Sequence, residues 1–147
     1  MGNRLYDSNL MSKYSIVSIY SKASRLKLTT KGRHPLQKPG LDKKLKCSEA
    51  AYLAGIIDGE GWITIERGLY YMIGVGNTSL ELLEWIQNVV GAGTIRKNKI
   101  YGNQKQAWTY KLSGALPVHD LLKQIRKYMI IKQEKADNAI SFIKKLM

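Results

Sequence analysis

The sequence predicts an α+β fold in which helices cover one face of a four-stranded antiparallel sheet. One observation is the order of helical and strand patterns after residue 47, which runs αββαββαα. A second is that the strands come as two adjacent pairs separated by helices, an arrangement typical of antiparallel hairpins. A third is size: 147 residues with 44% apolar side chains suit one domain with a real core.

The domain is expected to begin with a helix over residues 48–58. Ser48 is a suitable N-cap, and an apolar run follows until Gly59-Glu60-Gly61 ends the helix. Two strands are predicted next, at 62–67 and 69–75, because apolar and polar residues alternate there.

A capping box over residues 78–81 predicts the start of the second helix, which ends at Gly91 and Gly93. The third and fourth strands are expected at 94–100 and 106–113, on either side of a turn. Two further helices, over 116–128 and 133–146, complete the order. Each carries apolar residues at helical spacing.

Strand alternation sorts the side chains onto two faces. Ile63, Ile73 and Tyr110 fall on the face that the helices cover. The opposite face is polar, which suits contact with base edges in a major groove, although an ordinary solvated sheet has the same pattern. The three tryptophans are expected in the core or in an interface. The residues predicted to bind DNA are Thr64, Glu66, Arg67, Arg96, Asn98, Thr109 and Lys111.

The formal net charge of +13 is unevenly distributed. Residues 1–47 have 11 Lys or Arg and 2 Asp or Glu, whereas residues 48–147 have 13 and 9. Residues 1–47 are therefore predicted to be a basic N-terminal arm or linker, with a short helix within 8–28, and residues 48–147 the domain. The arm either follows a phosphate backbone or is an organellar targeting segment.

Composition excludes several classes of protein. The single cysteine, Cys47, excludes an intrachain disulfide framework and fits a reducing intracellular environment. No apolar run approaches the length of a membrane span, so no membrane partner is expected. A basic chain of this size favours a nucleic acid as its partner.

Small residues line one stripe of the first helix. Ala51, Gly55 and Gly59 are four residues apart, so a second helix could approach their backbone closely. Acids follow at Asp58 and Glu60, where the helix dipole disfavours negative charge, and a hard divalent cation such as Mg²⁺ or Mn²⁺ would compensate them. If the second helix belongs to another copy of the chain, two Glu60 carboxylates converge, as two-metal phosphodiester hydrolysis requires.

Residues 53–61 resemble the LAGLIDADG motif of homing endonucleases. Six of the nine positions are identical, Glu60 keeps the acidic character of the motif's second Asp, and Ile56 and Gly59 are mild replacements. The resemblance continues through the order of elements over roughly residues 49–146. One copy of the motif indicates the single-motif, homodimeric type, whose sheets form saddles over DNA.

The resemblance assigns roles to individual residues. Glu60, with the backbone carbonyl of Gly59, is expected to bind the catalytic metal. Lys132 would polarise the attacking water or balance phosphate charge, or it is simply a solvated base at a helix start. Asn77 would order the water network, or it only introduces the next helix. The expected dimer interface, in which Asp58 orients the paired helix ends, contains Ala51, Ala54, Gly55, Asp58 and Gly59.

The resemblance therefore implies an intron-encoded, site-specific endonuclease that cuts double-stranded DNA. The homodimer would use Mg²⁺ or Mn²⁺ to cut a long, near-palindromic target and leave staggered 3′ overhangs. Two alternatives remain open on the same scaffold. One is a maturase that binds its host intron RNA, and the other is a DNA-binding regulator that does not cleave.

Overall fold

The computed structural model of the chain describes residue 36, residues 38–68 and residues 70–147. It confirms the predicted order and the α+β class. The predicted helix within 8–28, and all but the end of the predicted arm, lie outside the described residues. The elements are α1 (Cys47–Glu60), β1 (Gly61–Glu66), β2 (Tyr70–Asn77), α2 (Leu80–Val90), β3 (Thr94–Lys97), β4 (Trp108–Ser113), α3 (Ala115–Ile125), a 3₁₀ turn (Arg126–Tyr128) and α4 (Gln133–Leu146).

The four strands form one antiparallel sheet in the order β1-β2-β4-β3. Ile73 at the centre of β2 pairs with Ile63 on one side and Leu112 on the other, and all three side chains are buried. The inner faces of α2 and α3 are buried as well. Helices therefore cover one sheet face, as predicted, and no helix or strand among the described residues covers the face with the polar residues.

Two predicted helix caps are displaced by side chains nearby. The N-cap of α1 is Lys46 rather than Ser48, because the Glu49 carboxylate accepts the Lys46 N–H at 2.8 Å. The N-cap of α2 is Ser79 rather than Thr78, and the Ser79 hydroxyl accepts the N–H of Leu82 at 3.3 Å.

The third and fourth strands are shorter than predicted. β3 ends at Lys97 and β4 begins at Trp108. The side-chain amide of Gln106 donates to the carbonyls of Asn98 at 3.0 Å and Ala107 at 2.8 Å. The Ala107 carbonyl also accepts the N–H of Asn98 at 2.9 Å, so the backbone pairing of β3 and β4 continues by one residue beyond Lys97 and Trp108.

The helix ends also differ in detail. α2 stops at Gly91, whose φ of 73° is in the left-handed region that favours glycine. The helix predicted over 116–128 ends as an α-helix at Ile125 and tightens into the 3₁₀ turn, because the Arg126 carbonyl accepts the N–H of Met129 at 3.1 Å.

Residues 38–46 lie against the helices of the domain. The Asp120 carboxylate of α3 accepts the N–H of Leu41 at 2.9 Å, and the Gln124 side-chain carbonyl accepts the N–H of Leu45 at 2.7 Å. This end of the basic arm is thus attached to α3. Within the described residues, no helix combines the length and apolar character of a membrane span.

Candidate functional site

Glu60 and Asn77 meet where two elements end. Glu60 is the exposed last residue of α1, and Asn77 is the last residue of β2. The antiparallel pairing of Gly61 with Val75 brings these two ends together. The Asn77 amide Nδ2 donates a hydrogen bond to the Glu60 carboxylate Oε2.

The Asn77 amide is fixed from its other side as well. Its Oδ1 accepts the N–H of Ser79 at 2.7 Å, so Nδ2 must face Glu60. Within the described part of the chain, Asn77 is the one hydrogen-bond donor to the Glu60 carboxylate. The turn between β2 and α2 therefore positions Glu60 and leaves its other carboxylate oxygen for a ligand.

The Asp58 carboxylate binds backbone within its own chain. It accepts the N–H groups of Ile130 at 2.6 Å, Ile131 at 3.2 Å and Lys132 at 3.0 Å. The sequence interpretation placed Asp58 at the contact between two paired helices. Within its own chain, it anchors the loop before α4 to the end of α1.

These contacts determine the pKa of Asp58. Partial burial pushes the pKa upward, but the three backbone N–H donors and the Lys132 charge outweigh it, so the pKa lies below its ordinary value of 3.8. An acid at this helix end was expected to need a compensating cation. For Asp58, the Lys132 ammonium group is that cation. Glu60 has no such partner in the described residues.

Lys132 reaches the same end of α1 as Asn77. Its Nζ donates to the backbone carbonyl of Asp58, in the last turn of the helix that carries Glu60. Three residues predicted from separate parts of the sequence, Glu60, Asn77 and Lys132, are thus grouped around one helix end.

The residues present fit a hard divalent cation in part. Glu60 offers an exposed carboxylate, and oxygen ligands suit Mg²⁺. Gly59 lies in the last helical turn, where carbonyl groups lack helical partners. Among the described residues, however, no cluster of three or more His, Cys, Asp or Glu side chains could hold a metal. One chain contributes one carboxylate, so further ligands would have to come from outside it.

Most of the predicted DNA-binding residues share the open sheet face. The strand register places Thr64 and Glu66 of β1, Thr109 and Lys111 of β4, and Arg96 of β3 on that side.

The other two predicted DNA-binding residues flank that face. Asn98 follows β3, and its Oδ1 accepts the Thr109 hydroxyl at 2.9 Å. Arg67 lies in the β1–β2 turn with a positive φ of 53°.

The stripe of small residues on α1 is exposed. Ala51, Gly55 and Gly59 face away from the core, and a Cβ added to either glycine would meet no atom of the chain within 4 Å. Ala54 is fully buried in its own core and offers no surface to a partner. The exposed stripe of Ala51, Gly55 and Gly59 is the part of the predicted interface that a second helix could reach.

The sequence interpretation did not place Trp62 on the open sheet face. It was expected in the core or in an interface, but it lies on the open sheet face with Thr64 and is 36% exposed. Alternation along β1 was the available signal, because the buried Ile63 requires Trp62 to point the other way.

The chain is similar to solved structures of homing endonucleases. The chain is similar to I-CvuI in complex with its target in the presence of Ca (23% identity, TM-score 0.56, 68% of each chain covered). It is similar to I-CvuI in complex with the I-CreI target in the presence of Mg, where the DNA is not cleaved. The identity is 25%, the TM-score is 0.53, and the match covers 67% of this chain and 68% of that chain. It is also similar to the archaeal intron-encoded I-Vdi141I complexed with DNA. The identity is 20%, the TM-score is 0.52, and the match covers 66% of this chain and 67% of that chain.

The fold is thus that of the homing endonucleases. More specifically, residues 48–126 match the LAGLIDADG-like domain, and the chain belongs to that family. No curated protein matches the chain. The resemblance carried by residues 53–61 is confirmed.

Proposed function

We propose that this LAGLIDADG family member is a site-specific, divalent-metal-dependent DNA endonuclease that acts as a homodimer. One observation carries the proposal: the Glu60 carboxylate is held by Asn77 at the helix end that Lys132 also reaches. A protein that only binds DNA gains nothing from a positioned carboxylate beside phosphates, since the two negative charges repel.

Each side chain has a separate task in the proposed reaction. Glu60, with the Gly59 carbonyl, would hold the metal ion near one scissile phosphate. The ion, when bound, would activate a water molecule for attack and stabilise negative charge on the phosphate. Asn77 keeps the carboxylate in place through its fixed amide. Lys132 supplies a positive charge beside the reacting phosphate, and its bonds to Asp58 hold it at that position.

The homodimer would supply what one chain lacks. Pairing α1 with α1 of a second copy through Ala51, Gly55 and Gly59 would bring the two Glu60 carboxylates together on either side of a two-fold axis. Each carboxylate would then serve one DNA strand.

Exposed apolar side chains near α1 support this pairing. Tyr52 on α1 is 56% exposed, and Ile130 and Ile131, which bond to Asp58 at the end of α1, are 87% and 74% exposed. Large exposed apolar groups beside one element are typical of an interaction surface. A second copy would cover them.

The open sheet faces of the two copies would bind DNA. Arg96 and Lys111 would supply charge for phosphates, while Thr64 and Thr109 would face base edges. Two-fold symmetry of the protein requires a near-palindromic target. Family resemblance adds cleavage that leaves staggered 3′ overhangs.

Binding of the host intron RNA as a maturase is the second candidate function. The same charge and the same open sheet would serve RNA. A third possibility, a regulator that binds DNA without cleavage, leaves the Glu60–Asn77 arrangement without a purpose. The nuclease is the proposal that uses every positioned group.

Cleavage of a randomised duplex library with Mg²⁺ tests the proposal, with Glu60→Gln as the variant. Gln keeps an acceptor for Asn77 but removes the charge that attracts the metal. Glu84→Gln, an exposed acid on α2, is the matched control. We expect cleavage by the unmodified chain and by the control, and binding without cleavage by Glu60→Gln. Tight binding of intron RNA without DNA cleavage by the unmodified chain would instead identify the maturase.

A further inference from the structure

Trp62 places a large apolar ring on a face that is otherwise polar. The residue is the second of β1 and points away from the helices, since Gly61 and Ile63 point toward them. Its indole lies over Gly74 of the neighbouring strand, so closely that a Cβ at Gly74 would overlap the ring. The ring therefore occupies the space that a side chain at Gly74 would fill, and the residue is 36% exposed.

The surroundings of the ring are suited to DNA. Gly74 pairs with Trp62 on one side and with Lys111 on the other, so the indole and the lysine flank the same glycine on the open face. Gly76, two residues further along β2, also leaves the surface without a side chain. Trp62 thus stands beside a cation in a shallow strip of the sheet, where a nucleic acid would desolvate it.

Packing against Gly74 covers most of this tryptophan, but 36% of the residue stays exposed. A ring that served the core would point to the covered face, where Ile63 and Ile73 are buried. On the open face, the inner side of the indole contacts Gly74 and its outer side stays in water. The exposed part of the ring would gain further free energy if a ligand covered it.

We propose that Trp62 determines specificity by apolar contact with a thymine methyl group next to the cut. This rests on the proposed nuclease function. Trp62 follows Glu60 by two residues, which limits the separation of their Cα atoms to about 7 Å. That distance corresponds to about two base pairs along one DNA strand. A thymine C5-methyl is the apolar feature of the major groove, and an indole has the flat apolar surface to cover it.

The test compares base preferences selected from randomised duplexes, both by cleavage and, in the Glu60→Gln background, by binding. Trp62→Ala removes the ring, and Trp62→Phe keeps a smaller one. Gly74→Ala keeps the indole but displaces it. Phe142→Ala, an exposed aromatic on α4, is the control.

We expect thymine preference within about two base pairs of the cut to fall by roughly fivefold or more in Trp62→Ala and Gly74→Ala. Trp62→Phe should keep part of the thymine preference. The base preferences at distant positions, and all base preferences of the control variant, should stay the same. An unchanged profile in Trp62→Ala, in a chain that still selects DNA, would overturn this inference alone. An equal loss of base preference at every target position in Trp62→Ala would also overturn it. Selection of no DNA by the unmodified chain would instead overturn the proposed function.

Discussion

Asp58 and Lys132 are joined twice. The Asp58 carboxylate accepts the backbone N–H of Lys132 at 3.0 Å, and the Asp58 backbone carbonyl accepts the Lys132 ammonium group. The first acid of the motif therefore ties the end of α1 to the loop before α4. This tie fixes Lys132 relative to the helix that ends at Glu60, although the two residues are far apart in the sequence.

Asp58→Asn is expected to lower the free energy of unfolding by about 1–2 kcal/mol at neutral pH. The amide has one acceptor oxygen in place of two and no charge, whereas three backbone N–H groups require acceptors. Urea unfolding at pH 7 measures the loss. An unchanged midpoint would show that water replaces the carboxylate without cost.

The same pair predicts a pH dependence. The folded pKa of Asp58 lies below 3.8, so its contribution to stability is complete above that value and is lost as the pH falls through the folded pKa. The difference in stability between the unmodified chain and Asp58→Asn should therefore shrink as the pH is lowered from about 6 to about 2. A difference that stays constant over this range would contradict the tie between the charged carboxylate and the loop.

Asn77→Ala is expected to reduce cleavage by about 10- to 100-fold, because Glu60 loses the group that holds it. DNA affinity should change little. Ser79→Ala is the matched control: it removes the cap of α2 and costs about 1 kcal/mol of stability, but it does not touch Glu60. Single-turnover cleavage and thermal melting separate the two effects. Equal loss of cleavage in both variants would show that cleavage depends on the conformation of the turn and not on the Asn77 amide.

Gly55→Leu tests the dimer. A side chain at this position meets nothing within its own chain, and replacing a helical glycine should stabilise the monomer by about 0.5–1 kcal/mol. The same side chain would separate two paired α1 helices. We expect sedimentation to show monomers and cleavage to be lost, while Ser141→Leu on α4 still dimerises. Dimers of Gly55→Leu with full activity would place the interface elsewhere.

Mixed dimers test whether each Glu60 serves one strand. A tagged Glu60→Gln chain purified together with an unmodified chain should nick a supercoiled plasmid and leave it circular. One intact site then cuts one strand. A linear product from the mixed dimer would show that a single Glu60 is sufficient for both strands.

Local sequence patterns predicted the order of the helices and strands correctly. The αββαββαα order followed from apolar periodicity, and residues 53–61 predicted the family. Element ends were less predictable, because neighbouring side chains influence them: the Glu49 carboxylate accepts the N–H of Lys46, and the N-cap of α1 lies at Lys46 rather than Ser48.

The candidate site was predictable as a set of residues but not as a set of contacts. Glu60, Asn77 and Lys132 were all named from the sequence. The bond between Asp58 and the loop before α4 spans more than seventy positions, and nothing in the local pattern of either segment specifies it. The position of Trp62 was available from strand alternation, but its size favoured an assignment to the core.

Cleavage of a supercoiled plasmid that carries the selected target, at DNA-saturating protein and with Mg²⁺, tests the central claim most directly. The claim is that the Glu60 carboxylate converts binding into cleavage. We expect Glu60→Gln to bind the target as tightly as the unmodified chain and to cleave it about a thousandfold more slowly. Cleavage by Glu60→Gln at the rate of the unmodified chain would contradict the claim.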